Sequence, residues 1–290
     1  MRIARFSLLG ALVLGAIGCQ EKDAGPFTTE IPPLAFVRYI NAVPDTNNLT
    51  VRWVDQITFT PMTFVNVPFR GLGQGNYQGL EAGSRRFKVF TYDPNLSTSA
   101  GGLGATTAQL ADTTFTFQAG KYYTLLHMGF SRTGQNPQQK VYIIEDQLPA
   151  AGTSVSVRAI HAGVGLPAVD LHATAAANSQ LTSATKVASN VALTNGSTTG
   201  ISAYLTRSTG AFAFQISAVG DTVTSVAGTL APAGSAGTTA IDPVAGSTQA
   251  GSVMTAIAFP ASVSGSKAAS FAAPGIVFFL DRQPARTTTP

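Results

Sequence analysis

Polar and apolar positions alternate in short runs along most of this chain. "AFVRYINAV" (35–43), "NLTVRWV" (48–54), "RRFKVFTY" (85–92), "TTFTFQ" (113–118), "KYYTLLHMGF" (121–130) and "KVYIIED" (140–146) are rich in β-branched and aromatic residues. Gly, Pro, Asn or Asp often break between them, as between strands joined by turns. No stretch holds a helical apolar stripe through three turns. Residues 173–189, "ATAAANSQLTSATKVAS", fit a short helix or an insertion loop. The period of two places Leu49, Val51 and Trp53 on one face, a core face. It also turns Phe87 and Val89 inward among Arg85, Arg86 and Lys88, which read as the solvated side of that strand.

The pattern repeats. "VRYINA" (37–42) returns as "VRAIHA" (157–162) at an offset of 120, and there Leu49 meets Val169 and Val51 meets Leu171. Gly83, Phe87 and Val89 return as Gly210, Phe214 and Ile216 at an offset of 127. "AGKYYT" (119–124) returns as "AGSVMT" (250–255) at 131, and "VYIIED" (141–146) as "IVFFLD" (276–281) at 135. The offset only grows, as insertions in a second copy require, and the order is kept. Two β-sandwich domains of one fold are expected, at 34–149 and 154–284, with the boundary near "LPAAGTS" and a disordered tail at 285–290.

The first residues follow another pattern. Arg2 and Arg5 precede an apolar run from Phe6 to Ile17. That run is about 12 residues against the roughly 20 that span a bilayer, so it reads as an export signal. Ala16-Ile17-Gly18-Cys19 resembles the lipobox of bacterial lipoproteins, with Ala16 where leucine is usual. The resemblance implies a signal peptide at 1–18, cleavage before Cys19 and acylation of Cys19. Gln20 in place of aspartate favours the outer membrane. Residues 19–33 are polar with three prolines and read as a lipidated tether.

Cys19 is the only cysteine, so disulfides and thiolate chemistry are unavailable to the remainder of the chain. With 44% hydrophobic and 11% charged residues the chain is set to fold on apolar burial. The pI near 9.3 does not mark a nucleic-acid binder. Without Arg2 and Arg5, 16 basic residues face 14 acidic ones, a scattered excess of +2. A duplex-binding face needs many phosphate contacts.

"SVRAIHAGVGLPAVDLHA", a Gly-led strand, "AGKYYTLLHMGF" and a closing apolar strand ending in Asp resemble the domain-of-unknown-function family 4397. Val157, Arg158, His161, Ala162, Pro167, Val169 and Asp170 match its opening pattern. The first copy keeps Val37, Arg38 and Ala42, with Asn41 for the histidine and Thr50 for the aspartate. The resemblance implies tandem extracytoplasmic β-sandwich modules and brings no catalytic residues.

His161, Asp170 and His172 offer part of a zinc set or an acid–base pair. Alternatively, His161 and Asp170 brace the "AGVGLP" turn between two strands by hydrogen bonds to backbone. The first copy lacks all three residues, which favours bracing. Arg38 and Arg158 sit within apolar strands, either buried beside a carboxylate or carbonyl or snorkelling outward. "GLGQGNYQGL" (71–80) lacks the Gly-Lys-Ser/Thr ending of a phosphate loop, and no Gly-x-Ser-x-Gly elbow is present.

The expectation is an all-β, lipid-anchored cell-envelope protein of two tandem Ig-like antiparallel β-sandwiches. Its role is structural or adhesive, without catalysis, cofactor or metal. Its partners are the membrane, through the anchor, and an envelope protein or glycan. A carbohydrate or polymer binder is the alternative, and it requires Trp53 and Tyr39 exposed. An envelope hydrolase requires His127, His161 or His172 to converge with carboxylates.

Overall fold

The computed structural model describes residues 32–55, 64–93 and 108–286. The expected export signal, Cys19, the expected tether up to residue 31 and the last four residues lie outside the described residues. The first half forms β1 (Leu34–Ala42), β2 (Leu49–Trp53), β3 (Phe64–Val67), β4 (Gly71–Leu72), β5 (Gln78–Glu81), β6 (Gly83–Thr91), β7 (Gln109–Phe117), β8 (Tyr122–Met128) and β9 (Lys140–Glu145). The second half forms β10 (Val155–His161), β11 (Val169–Thr174), β12 (Lys186–Val191), β13 (Leu205–Arg207), β14 (Ala213–Ala218), β15 (Ser225–Leu230), β16 (Val253–Phe259) and β17 (Gly275–Arg282). Residues 173–189 hold no α-helix. They finish β11, cross a loop with a 3-10 turn at Ser183–Thr185 and begin β12.

The strands form four sheets. The first half pairs β4-β1-β8-β9, with β5 also on β1, and packs this sheet on β3-β2-β6-β7. The second half pairs β13-β10-β16-β17 and packs it on β12-β11-β14-β15. The second sheets correspond strand for strand, and in the first sheets β1, β5, β8 and β9 match β10, β13, β16 and β17, with only the Ile160–Ile201 bridge where β4 stands; the matched sequence blocks fall on equivalent strands. The sheets are not wholly antiparallel, as the sequence reading had them. β1 runs parallel to β8, and β10 parallel to β16. In each half the chain leaves the first sheet after one strand, comes back antiparallel to that strand midway through the second sheet (β4 and β5, or β13), and after completing the second sheet returns beside the same strand in the same direction.

One glycine per half starts the parallel pair. Gly120 and Gly251 have φ of +74° and +80°, where a side chain is strained. Their N–H groups donate to Leu34 O at 2.7 Å and Ser154 O at 2.9 Å, at the head of the strand each sheet is built upon. This explains why "AG" survives in both copies.

Side chains alternate across each strand, so a sheet has two faces to satisfy. In the first sandwich Val37, Tyr39, Tyr123 and Leu125 face Leu49, Val51, Trp53, Phe87 and Val89. Trp53 packs edge-on against Phe87 and Phe117 at 5.3 and 5.7 Å between ring centroids. The second sandwich buries Val157, Leu171, Phe214, Ile216 and Met254 in the same way. A third core lies between the halves. Ile40, Leu126, Met128 and Ile144 meet Ile160, Ile257, Phe259 and Phe279. The sheets led by β1 and β10 are therefore buried on both faces, and the described residues from Pro33 onward form one compact unit.

Candidate functional site: a reciprocal charge network between the sandwiches

The third core has a polar centre. Alternation that turns Val37 and Tyr39 into the first sandwich turns Arg38 the other way, toward the second half. The same step in β10 turns Arg158 toward the first half. Arg38 and Asp281 are ion-paired at 2.7 Å with both side chains fully buried. Arg158 pairs with Asp146, which follows β9, and these side chains are 4% and 0% exposed. Each half thus gives its arginine to the other half's aspartate.

Each aspartate is held by its own half. Thr124 Oγ1 and Tyr77 OH donate to Asp146 Oδ2 at 2.6 and 2.7 Å. Thr255 Oγ1 and Tyr204 OH donate to Asp281 Oδ2 at 2.6 and 2.8 Å. The threonines also accept, from Arg38 Nε at 2.8 Å and Arg158 Nε at 3.0 Å. These hydrogen bonds and the Arg38–Asp281 ion contact close a ring: Arg38, Thr124, Asp146, Arg158, Thr255, Asp281 and back to Arg38. The guanidinium carbons lie 4.6 Å from the Tyr77 ring centre and 5.0 Å from that of Tyr204. Two cations and two anions leave the ring neutral.

Burial works against the Arg38 cation, but the facing Asp281 and Asp146 outweigh it and keep the guanidinium charged. Arg158 is held charged in the same way, chiefly by Asp146. Burial pushes Tyr77 and Tyr204 up, so both hydroxyls keep the protons they donate. Such a ring ties the two facing surfaces together, whatever its net contribution to stability.

The residues singled out by sequence go to different places. His161 closes the turn after β10. Gly163 N–H donates to its Nδ1 at 3.1 Å, so Nε2 carries the proton and donates to Pro167 O at 3.0 Å. Burial lowers its pKa, in keeping with a neutral ring. Asp170 does not brace that turn. It accepts from Asn190 N at 2.8 Å, Gly220 N at 2.9 Å and Lys186 Nζ, joining β12 and the β14–β15 turn to β11. The reason is the pleat: Asp170 and His161 lie on different sheets, and both neighbours of β11 offer donors nearer than the turn. Burial raises the Asp170 carboxyl, yet these three donors together hold it at about 2. His172 sits between Thr185 Oγ1 at 3.0 Å and Ser217 Oγ at 3.2 Å.

His127 is fully buried in the first sandwich. Tyr39 OH donates to its Nδ1 at 2.8 Å, its Nε2–H faces Gln139 Oε1, and Gln139 Nε2 donates to Leu110 O at 2.6 Å. The three histidines therefore have separate partners and do not converge. Among the described residues no group of three or more His, Cys, Asp or Glu is arranged to hold a metal. Trp53 and Tyr39 are 8% and 0% exposed and form no surface platform. Arg86 and Lys88 reach Asp112 on the outer face, whereas Arg85 folds back onto Glu81 O and Ala82 O.

Sequence reasoning flagged Arg38 and Arg158 but left their burial open, and it missed Thr124, Asp146, Thr255 and Asp281. The signal was in the repeat. These four are the polar residues that close the matched blocks "AGKYYT", "VYIIED", "AGSVMT" and "IVFFLD". Tyr77 lies in the glycine-rich loop set aside as a failed phosphate loop, at an offset of 127 from Tyr204.

The stretch that carries Arg38, Thr124, Asp146 and Arg158 also carries a family pattern. Residues 35–172 match the family model "Domain of unknown function (DUF4397)". The DUF4397 match takes in the whole first sandwich and runs on through β10 into β11. It is a single match, and it ends inside the second sandwich. The chain is also similar to a solved structure of a proposed cell adhesion protein from Bacteroides fragilis. That likeness has 8% identity and a TM-score of 0.23, over 88% of this chain and 100% of the other. At that level it carries no argument. No curated protein matches the chain.

Proposed function

We propose that this chain is a lipid-anchored cell-envelope protein with a non-catalytic, structural or adhesive role. In this reading both sandwiches are Ig-like modules of the DUF4397 kind, held by Cys19 on the outer membrane and acting as one stiff body. The observation that carries it is the closed ring of Arg38, Thr124, Asp146, Arg158, Thr255 and Asp281. Two buried arginine–aspartate pairs are committed to joining two modules, and each histidine is engaged in local bonding. A stiff tandem built on a lipid tether suits display or bracing at a surface. A glycan platform built on Trp53 and Tyr39 is disfavoured by their burial.

Mass spectrometry and membrane fractionation test the anchor. The mature protein should begin at an acylated Cys19, and Cys19→Ala should be released from membranes or remain unprocessed. One acyl chain binds a bilayer marginally and two or more hold it stably. An unmodified N-terminus at any other residue overturns the reading. The role is tested by surface attachment and envelope integrity of cells lacking the chain. A change should be restored by the wild-type protein and not by Cys19→Ala.

A further inference from the structure

The core of the second sandwich leaves a cavity of about 20 Å³ between its two sheets. Ala159 on β10, Ala256 and Ala258 on β16 and Ile276 on β17 wall it from one sheet, and Leu171 and Ile216 from the other. All six are buried. The repeat explains the gap. Ala159, Ala256 and Ala258 stand where the first half has Tyr39, Leu125 and His127, and by strand register Ala188 stands where it has Phe64. Those four first-half side chains are fully buried, with Tyr39 OH bonded to His127 Nδ1 at 2.8 Å and the Tyr39 and Phe64 rings 6.1 Å apart. Four large side chains in one core are thus four methyl groups in the other, and a packed core closes only partly over such a loss.

The wall decides what can enter. A water needs roughly 10–15 Å³, so it would fit, but it also needs about 2–4 polar partners. The one polar side chain on the wall is His161. Its Nδ1 takes the Gly163 N–H and its Nε2 donates to Pro167 O, so neither nitrogen is left for a guest. A cavity lined in this way stays dry. We propose that the second sandwich binds one small apolar molecule in this cavity, of the size of xenon, methane or dioxygen, and that the equivalent place in the first sandwich does not. Size sets the upper limit, since benzene occupies an apolar cavity of about 150 Å³. The attraction is dispersion. Atoms facing a void have no neighbours on that side, and a polarisable guest restores those contacts.

The test is methyl NMR of the full-length protein in mild detergent under rising xenon pressure, with helium at equal pressure as the control. The molecule carries its own comparison, because Leu171, Ile216 and Ile276 correspond to Val51, Val89 and Val141 in the filled core. Xenon should shift the methyls of Leu171, Ile216 and Ile276 saturably and leave those of Val51, Val89 and Val141 at their helium positions. Ala159→Val, which puts two methyl groups into the space, should cut the xenon shifts at least about fivefold. Ala258→Val fills it from the neighbouring strand and decides the matter if the first variant does not fold. The proposal is overturned if xenon moves both sets of methyls alike or neither beyond the helium control. It is equally overturned if Ala159→Val, folded, responds as the wild type does, or if a long-lived water gives a nuclear Overhauser contact to the Ala256 and Ala258 methyls.

Discussion

Asp170 collects donors from three places in the chain, and its removal leaves two backbone N–H groups, of Asn190 and Gly220, without their acceptor. Hydrogen bonds to a charged group are worth about 1.5–3 kcal/mol, and losing them at once should cost Asp170→Ala roughly 2–3 kcal/mol. Calorimetry should then show a melting temperature about 5–10 °C lower. The carboxyl is held at about 2 against an ordinary 3.8, so its contribution is complete above pH 3.8 and disappears as pH falls toward 2. His127 acts higher on the scale. Burial brings it down to about 4 from 6.5, so below pH 6.5 the unfolded chain takes up a proton that the folded chain refuses. Stability should fall by about 1.4 kcal/mol per pH unit between 6.5 and 4 from this group. His161 and His172 are shifted in the same direction. Imidazole nitrogen shifts of His127 should remain those of the neutral ring at pH 5. A midpoint near 6.5 would contradict the buried Tyr39–His127–Gln139 chain. Part of this was legible in the sequence. The partners of His161 lie within six residues, so a turn brace could be read directly. Those of Asp170 lie 16 to 50 residues away, where only the sheet order brings them together.

At the scale of strands, the period of two located the elements but concealed a second buried face. β1, β8, β10 and β16 are inaccessible along most of their length on both sides. Strands of that kind read as nearly unbroken apolar runs, which "AFVRYINAV" and "VMTAIAF" are. Arg38 and Thr255 within those runs belong to the ring, whereas Asn41 bonds to Val67 O and Val43 N, and the recurrence of the ring residues between copies was visible before their contacts were. Tyr77 and Tyr204 were not, because loops carry no period. The ring predicts a non-additive pattern. Arg38→Met alone strands Asp281 in the interior and should cost about 3–5 kcal/mol in urea unfolding. Arg38→Met with Asp281→Leu should recover most of that loss, since a well-packed apolar pair often replaces a buried ion pair without penalty. A double-variant loss equal to the sum of the losses of Arg38→Met and Asp281→Leu alone would show that the two residues are not coupled.

Across the whole molecule, the face between the halves is an interface inside one chain. Residues 33–153 alone would expose Ile40, Leu126, Met128 and Ile144 around Arg38 and Asp146. Burying one such apolar side chain is worth about 1.5–3 kcal/mol, so the face should not stay open to water. It is also self-complementary, because each half carries both an arginine and the aspartate that receives one. The excised first half should therefore pair with itself, Arg38 of one copy to Asp146 of the other. Sedimentation should report a dimer, and Arg38→Glu should prevent it. Two halves joined by exchanged charges are also bound together in their history. A change at Arg38 is answered only at Asp281, and a change at Arg158 only at Asp146, so neither module can be swapped for a relative's unless its counterpart travels with it. That reciprocity turns two modules otherwise free to diverge into a single heritable unit.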